Sequence, residues 1–127
     1  MANRDQNILQ LRPLIPTISE KNITSSAELF QNKTLRPILK LQNDLLTAIF
    51  KQYTIQRKNI FPTLSEEKQL EYIENNIRKD LKFRSLLIGT IVGQFTLEEW
   101  DLYIQNENEL RKRLVNMLVE RIKSGMN

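Results

Sequence analysis

The fold of this chain is decided by residues 65–100, which read SEEKQLEYIENNIRKDLKFRSLLIGTIVGQFTLEEW. The stretch contains no proline, and helix-forming residues dominate it. Ser65 stands before two glutamates, a pattern typical of a helix start, because a serine oxygen caps free amides and negative charge suits that end. Apolar residues then recur at helical spacing, at Leu70, Ile73, Ile77 and Leu81.

Two further helices are predicted within the same stretch. Asp80 can cap a helix over Leu81–Gln94, which is apolar nearly all round and is therefore expected to be central and buried. Thr96 and Glu99 have the spacing of a capping box, in which each side chain bonds the other residue's amide. That box opens a short helix with apolar residues at Leu97, Trp100 and Ile104.

Helical periodicity continues toward both ends of the chain. Ser25 or Ser26 can cap a helix from about Ala27, and Pro37 should kink or divide it near Thr34–Arg36. This helical region is expected to end near Asn59. A last amphipathic helix has apolar residues at Leu110, Leu114, Met117 or Leu118, and Ile122. We therefore predict an all-α fold, a compact bundle of four to six helices formed by one domain over residues 25–127.

Residues 1–24 differ in character from the rest of the chain. They contain two of its four prolines, show no helical period, and favour an extended backbone around Pro13 and Pro16. Seven large aliphatic residues are too many for a free tail: Ile8, Leu9, Leu11, Leu14, Ile15, Ile18 and Ile23. We predict an extended N-terminal arm that docks in a groove of its own domain or of a second subunit.

The composition excludes several chemistries. The chain has neither cysteine nor histidine, which removes thiolate chemistry, the commonest metal ligand and the commonest general base near neutral pH. We therefore expect no cofactor, no bound metal and no enzymatic activity. The longest uncharged apolar run, Ser85–Leu97, is shorter than the ~20 residues of a membrane span, and no signal peptide is visible. We expect a cytoplasmic protein with no membrane contact.

Basic residues form two clusters, Arg78, Lys79, Lys82 and Arg84, and Arg111, Lys112 and Arg113. Such clusters could contact a phosphate backbone, which keeps a nucleic-acid-associated or regulatory protein as the alternative function. Most of these charges have an acidic residue four positions earlier on the helix, which favours a salt-bridged surface. The pairs are Glu74–Arg78, Asp80–Arg84, Glu107–Arg111 and Glu109–Arg113. We therefore do not expect nucleic acid as the partner.

Two other features have a structural interpretation. Gly89 and Gly93 are four residues apart and allow close approach of another helix, either within the domain, which we favour, or from a second subunit. Trp100 and Tyr103 have helical spacing, so we expect both to pack in the core rather than to stack on a ligand.

Two stretches, FQNKTLRPILKLQND at 30–44 and IVGQFTLEE at 91–99, resemble a family of small uncharacterised all-helical bacterial proteins. Some members of that family carry a glyoxalase label. A glyoxalase-type metal site uses histidine and glutamate on a β-rich scaffold, and this chain has no histidine and no evident strand. The resemblance implies a bacterial, cytoplasmic protein and no mechanism.

The sequence thus favours a non-enzymatic helical interaction domain that binds a protein partner or itself, for example as a dimer. Its best candidates for interaction residues are four aliphatic side chains of the arm and three basic side chains. They are Leu11, Leu14, Ile15, Ile18, Arg78, Lys79 and Lys82.

Overall fold

The computed structural model describes residues 2–14 and 25–125, which are mostly helical and contain no strand, and this confirms the all-α class. The elements are α1 (Ala2–Leu11), α2 (Ser26–Phe30), a π-helical turn (Gln31–Leu35), α3 (Arg36–Leu41), α4 (Asn43–Gln56), a 3-10 turn (Phe61–Thr63), α5 (Glu66–Lys79), α6 (Leu81–Val92), α7 (Leu97–Gln105) and α8 (Glu107–Gly125). The pieces from α2 to α3 follow one another without a break. The described residues therefore hold 7 helices, more than the four to six expected.

The N-terminal region begins with a helix rather than an extended arm. Residues Ala2–Leu11 form α1, so the prediction of an extended backbone is wrong there, and residues 15–24 of the predicted arm lie outside the described residues. The sequence shows no helical hydrophobic period here because the side of α1 that faces the bundle is mostly polar. Ile8 is its one buried apolar residue among residues 3–11, and Arg4 and Asp5 make the neighbouring contacts.

Pro37 has the local effect that its chemistry requires. Proline has no amide hydrogen and its ring crowds the preceding turn, so a regular helix cannot continue through it unchanged. The chain widens by one π-helical turn just before it, where the Arg36 amide donates to the Gln31 carbonyl five residues back. The prediction that Pro37 kinks or divides the helix near Thr34–Arg36 is therefore wrong as to division, because the helical path continues through a π-helical turn.

The helix caps agree with the sequence. Ser25 accepts from the Glu28 amide, Ser65 from the Lys68 amide and Asp80 from the Phe83 amide. Thr96 and Glu99 form the complete capping box. These interactions span three residues, so sequence alone is enough to predict them.

The centre of the bundle is α8, which packs against α2, α4, α5, α6, α7 and the π-helical turn. Its buried side chains are Leu110, Leu114, Val115, Leu118, Val119 and Ile122. The expectation that Leu81–Gln94 is the central helix is wrong. Only one side of α6 faces the core, through Phe83, Leu87 and Ile91. Within the described residues, no helix has the length and apolarity to cross a bilayer.

Candidate interaction surface

The outer side of α6 carries two exposed leucines that the described parts of the chain leave uncovered. Leu81 is 65% exposed and Leu86 is 54% exposed. Lys82, Ser85 and Gly89 are exposed between and beside them, and residues three or four apart are neighbours on a helix. These five residues, Leu81, Lys82, Ser85, Leu86 and Gly89, are called the α6 face below.

Among the described residues, Gly89 and Gly93 do not mark a crossing with another helix. A Cβ atom built on Gly89 would have no heavy atom of the described chain within 4 Å, apart from its own helix backbone. A Cβ atom on Gly93 would approach the Gly89 carbonyl oxygen at 3.1 Å, an atom of the same helix end. The favoured intradomain interpretation of the two glycines is therefore wrong, and Gly89 lies open on the α6 face.

A second apolar surface lies on α7. Leu97, Trp100 and Ile104 are all exposed, and their spacing of three and four residues places them on one side of the helix. They are called the α7 stripe below. Trp100 is 43% exposed and its ring stacks against that of Tyr103. The expected core position is thus confirmed for the buried Tyr103 and is wrong for Trp100.

The charges beside the two surfaces have opposite signs. Lys82 belongs to the α6 face, and Lys79 precedes it at the end of α5. Asp101 is adjacent to Trp100 and one turn after Leu97, and Glu98 stands in the first turn of the same helix. All four charged side chains are exposed, and none of them has an ion pair within residues 2–14 and 25–125.

The structure distributes the seven sequence-derived interaction residues over different places. Leu11 and Leu14 are exposed at and after the end of α1, while Ile15 and Ile18 lie outside the described residues. Arg78 is bound to Glu74 at 3.1 Å and to Asn116 at 3.0 Å, and Lys79 is exposed. Of the seven, only Lys82 belongs to the α6 face.

The predicted local ion pairs formed in three cases of four. Arg78 pairs with Glu74, Arg111 with Glu107 and Arg113 with Glu109, at 3.1, 3.4 and 3.0 Å. The fourth pair, Asp80–Arg84, is wrong, because Asp80 binds Arg57 and Tyr53 and caps α6, while Arg84 donates to the Arg78 carbonyl. The arginines of both basic clusters are thus largely occupied within the domain.

A buried polar cluster around Glu99 connects three parts of the chain. Its carboxylate accepts two hydrogen bonds of 2.6 Å from Arg12, one of 3.0 Å from Thr34 and one of 2.8 Å from the Thr96 amide. Burial on its own would raise the pKa of Glu99, but the bonds from Arg12, Thr96 and Thr34 keep this pKa below its usual value. The capping box identified Glu99, whereas no sequence signal indicated Arg12.

The helix α1 holds the connection between α6 and α7. Arg4 donates to the Phe95 carbonyl at 2.9 Å and to the Gly93 carbonyl at 3.2 Å, and Asp5 accepts from the Leu97 amide at 3.2 Å. Arg12 adds a bond of 2.7 Å to the Gln94 carbonyl. These bonds thus tie α1 and Arg12, which directly follows it, to the connection between α6 and α7.

A cleft of about 810 Å³ opens beside the start of α6, lined by Tyr53, Gln56, Arg57, Lys58, Asp80, Lys82, Phe83 and Leu86. Burial and the hydrogen bond of 2.8 Å to Asp80 raise the pKa of Tyr53. The Phe83 amide and the Tyr53 hydroxyl, as donors, lower the pKa of Asp80. Both pKa values are thereby moved away from neutrality, so neither group is tuned for proton exchange near neutral pH.

Metal ligands are not gathered in the part of the chain that the structure describes, where no group of three Asp or Glu residues could hold an ion. Comparisons with protein-family models, with curated proteins and with solved structures found no match to this chain. The resemblance of residues 30–44 and 91–99 to a bacterial family therefore stays a prediction.

Proposed function

We propose that this protein is a non-enzymatic helical interaction domain that binds a protein partner through the α6 face and the α7 stripe. The observation that carries the proposal is the exposure of α6, a helix that is apolar nearly all round and whose outer side nothing in the described chain covers. Contiguous exposed apolar surface on a folded domain is typical of a protein–protein interaction site.

Burial of these exposed side chains by a partner would be favourable. Full burial of a large apolar side chain stabilises a protein or a complex by roughly 1.5–3 kcal/mol. The isolated chain does not gain this free energy in full, because Leu81 and Leu86 on α6 and the α7 stripe are exposed. A partner that covers them gains it, and an exposed tryptophan such as Trp100 is the residue type most often found at the centre of such contacts.

The titratable groups support a binding role over catalysis. Where the pKa of a side chain is shifted, the carboxyl groups of Glu74, Asp80 and Glu99 are shifted down and the phenols of Tyr53, Tyr72 and Tyr103 are shifted up. General acids and bases work best with a pKa near the operating pH. All six shifts found in residues 2–14 and 25–125 move the pKa away from neutrality.

The nucleic-acid alternative has weaker support. Binding to a phosphate backbone depends on cations that are free to replace counterions. Arg78, Arg111 and Arg113 are each held by a carboxylate four residues earlier on their helix. The remaining lysines give a modest positive surface, which is ordinary for a chain of net charge +4.

The proposal is tested by affinity capture from a host extract with the full chain and three variants. Leu86→Glu and Trp100→Glu place a charge on the α6 face and the α7 stripe, and Leu45→Glu is the matched control on an exposed leucine of α4. Circular dichroism verifies that each variant is folded. We expect a partner that the parent and Leu45→Glu capture and that the other two lose. Equal capture by all four proteins would reject the proposal.

A further inference from the structure

We infer that the partner is a second copy of this chain, whose α7 stripe docks on the α6 face. The inference rests on the proposed function and names the occupant of its surface. Both surfaces are exposed in the same protomer, so one chain does not use its own stripe to cover its own face. Two copies can pair face with stripe, and a reciprocal arrangement makes this contact twice and closes a two-fold dimer.

Charge complementarity is the first reason for choosing a second copy. The α6 face carries Lys82, with Lys79 nearby, whereas Asp101 and Glu98 accompany the α7 stripe. In the described chain these four side chains have no ion pair of their own. Opposite potentials across an interface favour the correct partner and fix its register. A helix with a basic apolar side and one with an acidic apolar side are therefore complementary.

Shape is the second reason. Ser85 and Gly89 are small and lie between larger side chains of the α6 face, and nothing in the described chain occupies the space where a Cβ atom of Gly89 would point. This open space lets one bulky side chain approach the helix backbone at Gly89. The α7 stripe supplies such a side chain in Trp100, whose ring is exposed and backed by the buried Tyr103. Bulky aromatic residues seated in small depressions are the usual energetic centres of interfaces.

The test is sedimentation velocity of the full chain over roughly 1–200 µM, the range in which small interfaces dissociate. The variants are Lys82→Glu, Asp101→Lys and the two combined, with Lys112→Glu as a control on an exposed lysine of α8 outside both surfaces. We expect the parent and the control to associate with increasing concentration. Each single variant should weaken association about tenfold or more, because it places like charges opposite each other.

The double variant gives the sharpest result. It exchanges the two charges, so the attraction between positions 82 and 101 is retained with its signs reversed, and association should return toward that of the parent. A parent chain that stays monomeric at every concentration overturns the inference, and so does a double variant that associates no better than the single ones. All substituted side chains are exposed, and circular dichroism verifies that the helices remain.

Failure of this inference differs from failure of the proposed function. If the chain is monomeric but captures a partner that Leu86→Glu and Trp100→Glu lose, the second-copy inference is wrong and the interaction surface stands. If the chain is monomeric and capture is the same for every variant, both proposals are wrong.

Discussion

Substitution of Glu99 by glutamine is expected to destabilise the protein strongly. In the native state the side chains of Arg12 and Glu99 are only 8% and 13% exposed, and they are joined by two hydrogen bonds of 2.6 Å. Glutamine has almost the same size but no charge, and in either orientation its NH₂ group would face an N–H donor of Arg12. The variant therefore leaves a buried guanidinium without a counter-charge.

The size of the effect follows from these contacts. Removing one member of a buried ion pair typically costs about 3–5 kcal/mol. In the variant the amide oxygen of the new side chain still accepts a bond, so we expect a loss near the lower limit, roughly 3 kcal/mol of the free energy of unfolding. One route limits this loss. If α1 detaches, Arg12 regains water, and the stability of the rest of the bundle is preserved.

The measurement combines urea unfolding, followed by far-UV circular dichroism, with hydrogen exchange of the amides in Ala2–Leu11. The control is Glu107→Gln, which removes an exposed partner of Arg111 at 3.4 Å and should cost no more than about 0.5 kcal/mol. We expect either the full loss of stability or a smaller loss with fast exchange throughout α1. A Glu99→Gln protein that matches the control in both measurements would refute the role given to this pair.

Three other outcomes are expected. Because the native pKa of Glu99 is depressed, its contribution to stability should be complete above the usual pKa of 4.5 and be lost as pH falls through the native pKa. The urea midpoints of the parent and of Glu99→Gln should therefore converge in acid. A difference that stays constant with pH would contradict this. Lys58→Gly should raise the melting temperature. Lys58 has a φ of 66°, and the left-handed conformation costs a residue with a side chain roughly 1 kcal/mol of conformational free energy. An unchanged or lower melting temperature would argue against strain at this position. Tyr53→Phe should lower the free energy of unfolding by about 1.5–3 kcal/mol, because it removes the hydrogen bond to Asp80. Tyr72→Phe should not lower it, because the Tyr72 hydroxyl is buried without a hydrogen-bond partner in the described chain. Equal denaturation midpoints for the two variants would refute this difference between the hydroxyl groups.

The sequence by itself determined the class of the fold and the starts of α2, α5, α6 and α7. Ser65, Asp80 and the Thr96–Glu99 box cap the helices they were expected to cap. Three of the four ion pairs at helical spacing formed as well. These features depend on residues three or four positions apart, so their energies are fixed before any helix meets another.

The position of α1 could not be derived in the same way. Hydrophobic periodicity detects a helix by the apolar side it buries, and α1 buries mainly Ile8. The polar contacts of α1 and of Arg12, which follows it, reach residues more than eighty positions away, such as Arg4 to Phe95 and Arg12 to Glu99. A charged residue gives no sign in the sequence of which distant carboxylate or carbonyl it will meet.

The tertiary structure alone decided which apolar helix lies at the centre. Both α6 and α8 carry enough apolar residues to form the centre of the bundle. In the structure it is α8 that lies there, in contact with α2, α4, α5, α6 and α7. Within the described residues nothing covers the outer side of α6, and Trp100 on α7 stays partly exposed beside Tyr103. Sequence reports how much apolar surface a helix has, but coverage depends on how many neighbours can pack around it. The candidate interaction surface consists of the apolar side chains that no neighbouring element of the described chain covers.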